Sequence, residues 1–102
     1  MYKRLEVKSS RRNDMVDITN EVLNFIKEAD VQDGILIINV LHTTAAVTIN
    51  ENADPDVKRD IINEFEKLVP KHDNYKHIEG NADAHIKTSM MGNNETIIIK
   101  NG

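Results

Sequence analysis

The chain has 102 residues, room for one domain, and a formal net charge of −4 with a pI near 5.5. That balance argues against a general phosphate-backbone binder of nucleic acid. The absence of cysteine excludes disulfides and thiolate metal sites.

With only Tyr2, Phe25, Phe65 and Tyr75 as aromatics and no Trp, the core has to be built from Ile, Val and Leu. Oligomerisation is then a natural way to bury more apolar area. The beginning of the chain, Met1-Tyr2-Lys3-Arg4-Leu5-Glu6, is charged and has no apolar targeting region, and the apolar run over residues 35–41 is far too short to span a bilayer. A cytoplasmic location is expected, with no membrane partner.

Taken in chain order, residues 3–8 read as a strand, because Leu5 and Val7 alternate with charged neighbours. A polar loop follows, whose basic cluster of Lys8, Arg11 and Arg12 reads as a solvated charge run. Asp17 and Thr19 are both good caps for a helix that puts Ile18, Val22, Phe25, Ile26 and Ala29 on one face. Asp33-Gly34 marks a turn. Residues 34–41, apolar on both faces, suggest a buried central strand, and residues 45–50 the next one. Asp54-Pro55 is a cap with proline at the first helical position, and Val57, Ile61, Phe65 and Leu68 recur at helical spacing until Pro70. After a polar stretch, Asp83 is placed to cap a short helix ending at Gly92. Residues 95–100 form the last strand, before Asn101-Gly102, a hairpin dipeptide. Helices and strands do not alternate regularly, so the expected class is α+β, a mainly antiparallel sheet or sandwich with two to three helices.

Phosphate-cradling loops, dinucleotide fingerprints, nucleophile elbows and zinc-protease motifs are all absent. What remains is a set of polar groups that folding alone does not require. His42 lies at the end of an apolar strand, a common place for ligand groups, although a core-edge histidine bonded to a carbonyl satisfies the same pattern. His77 and His85 flank Glu79-Gly80-Asn81-Ala82-Asp83, a turn able to aim both imidazoles at one point. Three imidazoles plus water make a recognised catalytic zinc arrangement, and His42, His77 and His85 are the candidate ligands. His72 reads as solvated. Asn50-Glu51-Asn52-Ala53-Asp54 precedes a helix start, where an anion can dock beside Lys58 or Arg59. Asp54 alone is explained as a cap, while Glu51 is a candidate metal ligand or general base.

His42-Thr43-Thr44-Ala45-Ala46, then Asn50-Glu51-Asn52-Ala53-Asp54-Pro55-Asp56, then Tyr75-Lys76-His77-Ile78-Glu79-Gly80-Asn81-Ala82-Asp83-Ala84-His85-Ile86-Lys87, closing on Gly92, resemble the YjbQ family, also called the secondary thiamine-phosphate synthase family. The resemblance covers the chain from its first predicted strand onward. It implies a compact α+β sandwich-like homotrimer with its polar residues in a cleft near a subunit boundary. It also implies a weak transferase that joins a pyrimidine pyrophosphate to a thiazole phosphate and releases pyrophosphate.

Loss of pyrophosphate calls for a divalent cation, zinc or magnesium, and for donors to the leaving oxygens. His42, Glu51, Asp54 and His85 are the candidate catalytic residues, and Asn50, Asn52, Asn81 and Lys87 the candidate substrate contacts. Glu51, Asp54, Glu79 and Asp83 are alternative holders of the metal, and Lys87 or Arg59 of phosphate oxygens. A non-catalytic trimeric metal- or metabolite-binding protein is the alternative. Family members continue past the position of Gly102 with a Gly-Thr-Trp-Gln strand and a charged strand ending in arginines, so the resemblance implies a single domain truncated at its C-terminal side.

Overall fold

The computed structural model describes residues 1–102. Three helices and two strands follow in the order α1 (Thr19–Ala29), β1 (Gly34–Asn39), α2 (Pro55–Leu68), α3 (Ala82–Met91) and β2 (Asn94–Ile99). The class is α+β, as the patterning predicts. No helix is long and apolar enough to cross a membrane.

Each helix boundary has a local cause. At α1 the N-cap is Ile18, which makes no side-chain cap bond, and neither expected cap holds that position: Thr19 is the first helical residue, and the Asp17 carboxylate, one position before the cap, accepts from the Thr19 amide at 2.9 Å and from its hydroxyl at 2.6 Å. Asp30, in the left-handed conformation at φ 53°, ends it, with its amide donating to the Ile26 and Lys27 carbonyls. At α2 the Asp54 carboxylate accepts from the Asp56 amide at 2.9 Å, and Pro55 supplies a pre-set φ where no amide is needed. α3 closes at Gly92, whose φ of 96° is open only to a residue without a side chain.

β1 and β2 form a two-stranded sheet. The Val40 amide donates to the Asn93 carbonyl at one end and the Gly102 amide to the Gln32 carbonyl at the other, so the strands run antiparallel. Stepping two residues at a time from the Val40–Asn93 pair sets Ile38 against Glu95 and Leu36 against Ile97. The intervening pairs, Ile37 with Thr96 and Ile35 with Ile98, then share the opposite face, and that face is open: Ile35 is 67% exposed, Ile37 66% and Ile98 80%.

The chain divides into two compact units, one of Met1–Leu36 with Ile97–Gly102 and one of Ile37–Thr96. In the first, Ile99 is buried and Val22, Phe25, Ile26 and Ala29 of α1 are half-buried. There the Asn101 amide donates to the Asp33 carboxylate at 3.2 Å. In the second, Val69 and Asp83 are buried, with Ile61, Ile62 and Phe65 of α2 half-buried.

The structure corrects several expectations. Residues 3–8 and 45–50 alternate like strands but are not strands, since neither has a neighbouring strand with which to form a ladder; the latter is tied only by the Val47 amide to the Gly92 carbonyl at 3.2 Å. The run from residue 34 is not a buried central strand. It ends at Asn39 and keeps one apolar face in solvent. Asp83 does not cap α3. It lies inside the helix, 4% exposed, and its carboxylate is held by Lys87.

Candidate functional site

The polar residues that converge lie around the start of α3. Tyr75 anchors the segment leading into it: its hydroxyl donates to the Pro70 carbonyl, and its amide donates to the Asp73 carbonyl at 2.8 Å. Burial first, then the nearby charges of Asp73 and Asp83, push the Tyr75 phenol above its ordinary value. The strap so fixed delivers His77 two residues later.

His77 and His85 meet edge to face, with ring centres 5.3 Å apart and planes at 89°. His77 Nε2 lies 2.9 Å from Asn81 Oδ1 and 3.8 Å from Glu79 Oε2. The Asn81 contact fixes the attitude of the His77 ring, with Glu79 outside hydrogen-bond distance. Because Asn81 Oδ1 is engaged with His77, it does not cap α3. His85 sits in the first turn, its amide donating to the Asn81 carbonyl at 3.3 Å. One turn further, the Ser89 hydroxyl donates to the His85 carbonyl at 2.9 Å. Asn81 thus meets the His77 ring through its side chain and the His85 backbone amide through its carbonyl.

Beneath the imidazoles, Lys87 Nζ is 3.1 Å from Asp83 Oδ2 and 3.6 Å from Glu66 Oε1 on α2. Lys87 therefore bridges two carboxylates, one on its own helix and one on α2. Arg59, the other expected phosphate receiver, is bonded to Asp56 at 3.1 Å.

The remaining expected residues lie on exposed segments outside α3. His42 follows β1 in an exposed loop. Asn50, Glu51, Asn52 and Asp54 are also exposed; the Asn50 side chain accepts from the Glu51 amide at 2.7 Å, and Asp54 is occupied as the cap of α2. No three His, Asp or Glu side chains form a group able to hold a metal ion. Of the three imidazoles, His77 and His85 are in ring contact within one chain.

The Asp83–Lys87–Glu66 network was not anticipated as a unit. The Asp83–Lys87 spacing of four within a helix was the available signal.

The family model described as "UPF0047 protein YjbQ-like" matches residues 3–102. A UPF0047 protein of Methanocaldococcus jannaschii is 53% identical over 102 residues, covering 100% of this chain and 74% of the relative. The Bacillus subtilis protein YugU is 45% identical over 103 residues, with 100% and 78% covered. Among solved structures, an uncharacterized conserved protein of Clostridium acetobutylicum superposes with a TM-score of 0.90 at 50% identity, over 93% of this chain and 74% of its own. A protein of unknown function from Sulfolobus solfataricus gives 0.89 at 28% identity, over 93% and 70%. By sequence along its whole length and by fold, the chain belongs to the YjbQ (UPF0047) family.

Proposed function

We propose that the start of α3 is a site for a small phosphorylated metabolite, and that the protein is a transferase of the secondary thiamine-phosphate synthase kind. The observation that carries the reading is the edge-to-face imidazole pair of His77 and His85, oriented through Asn81 at a helix N-terminus. Imidazole N–H donors beside the positive end of a helix dipole are suited to phosphate or departing pyrophosphate oxygens. In this reading His85 donates to the leaving oxygens, His77 assists it, and Asn81 fixes the His77 ring. Asn50, Asn52, Glu51 and His42 are then contacts made by a neighbouring loop or a neighbouring subunit.

A single chain offers two imidazoles and no third donor grouped with them, so no step is routed through zinc or magnesium. Elemental analysis of the purified protein tests that point: a stoichiometric metal lost on His77→Ala restores the cation to the site. The decisive assay is formation of thiamine phosphate from the pyrimidine pyrophosphate and the thiazole phosphate. Turnover by the wild type and its loss in folded His85→Ala are expected; no product from the wild type refutes the reading.

A homo-oligomer, the trimer implied by the family resemblance, is part of the proposal. The accessible surface is 8191 Å², against roughly 5,800 Å² for a folded monomer of this mass. The difference exceeds what one partner buries at a standard interface, about 800 Å². The second reading, a non-catalytic metabolite-binding oligomer, shares this surface argument and differs in predicting ligand retention without turnover. A cytoplasmic location completes the proposal.

A further inference from the structure

Asp83 is the one charged residue in the buried interior, and the proposed chemistry does not use it. Through Lys87 it ties α3, which carries His85, to α2, just before the strap that carries His77. On α3 itself, Lys87 holds its carboxylate at 3.1 Å and reaches Glu66 of α2 at 3.6 Å. On the preceding strap, Tyr75 lies near enough to feel its charge, and Tyr75 is fastened to the Pro70 carbonyl just past α2. His77 comes two residues after Tyr75, and His85 two residues after Asp83.

We propose that Asp83, together with Lys87, is a positioning pair that sets the rotation of α3 and so holds His85 against His77. An ion pair in an interior is a poor source of stability, because apolar groups of the same size commonly do as well or better. It is good at specifying one geometry. α3 needs such a device, since its apolar residues divide between two opposite sides, Ala82, Ile86 and Met90 on one and Ala84 and Met91 on the other, and no single apolar stripe fixes its rotation. Successive residues are about 100° apart around a helix axis, so a slip by one position would swing His85 well away from His77. Asp83 and Lys87, one turn apart on one side, resist that slip because Glu66 grips the same ammonium group.

The inference rests on the reading of His77 and His85 as the working groups, but their geometry can be measured without any turnover. The test is nuclear magnetic resonance of the four histidine rings at fixed pH, with the exposed His42 and His72 as internal references. In the wild type, the rings of His77 and His85 should show a mutual Overhauser contact and ring-current shifts. The double variant Asp83→Leu/Lys87→Met should remain folded, melting within about 5 °C of the wild type, yet lose that contact, while His42 and His72 do not move. A folded double variant with the contact intact overturns the proposal. Should that variant fail to fold, Lys87→Arg and Lys87→Gln decide: the contact kept in the first and lost in the second supports the pair, and the contact kept in a folded Lys87→Gln overturns it. A wild type without synthase activity but with these ring signals removes the proposed reaction and leaves the positioning pair standing.

Discussion

Replacing Lys87 with Met is the perturbation that most directly weighs the network under the imidazoles. The Lys87 side chain is 15% exposed, that of Asp83 6% and that of Glu66 37%. Removing the cation leaves a carboxylate in the interior with a second carboxylate nearby. Breaking a fully buried pair from one side costs about 3–5 kcal/mol. Water reaches Glu66 and part of Lys87, so about 2–3 kcal/mol is the appropriate figure here. For a domain of this size each kcal/mol lowers the melting temperature by about 4–8 °C, which gives a fall of roughly 10–20 °C. Lys67→Met is the control: this lysine is 77% exposed and 3.9 Å from Glu64, a surface pair whose loss should be worth less than about 0.5 kcal/mol. Thermal unfolding followed by circular dichroism at neutral pH compares the two. If Lys87→Met melts together with Lys67→Met, the Asp83 carboxylate is not held by Lys87 in the way described.

Asp54→Ala removes the cap of α2 and should cost about 1 kcal/mol, read by denaturant unfolding, with no effect on the His77–His85 ring signals. Tyr75→Phe removes the hydroxyl that fastens the strap to Pro70 and should melt below the wild type at neutral pH. Its pH dependence has a definite sign. Burial and the two aspartates raise the phenol in the folded state, so its contribution is complete below pH 10.0 and disappears as pH climbs through the higher folded value. The melting gap between Tyr75→Phe and wild type should therefore narrow above pH 10.0, and a gap that widens there would contradict this account.

How far the sequence discloses the fold depends on whether an element's cause is local. α2 is legible because Asp54, Pro55 and the recurrence of Val57, Ile61, Phe65 and Leu68 all act within the helix itself. α1 is legible for the same reason, with Asp17 and Thr19 at its start. Strands have no such autonomy. Leu5 and Val7 alternate as a strand should, and so does the segment through Val47 and Ile49, but alternation says only which face would be buried once a neighbour supplies the ladder. β1 and β2 found each other, while the other two segments have no strand beside them. The apolar run from Gly34 was misread for a related reason: apolar residues on both faces announce that both faces suit burial, and Ile35 and Ile37 are nonetheless open.

The candidate site divides along the same line. His77, Asn81 and His85 are four residues apart in succession, and a loop that runs into a helix brings them together without help from the rest of the chain. Asp83 and Lys87 meet by the same helical arithmetic. His42 is thirty-five residues before His77, and bringing it to the pair would need a particular path for the loop after β1, which no short-range pattern encodes. A three-imidazole centre demanded that long-range step, whereas a phosphate-accepting pair does not. Anion binding at α3, as proposed, asks only for two neighbouring rings in the right attitude, and the contacts proposed to secure it, Asn81 on His77 and Lys87 on Asp83, lie within the same few turns of chain.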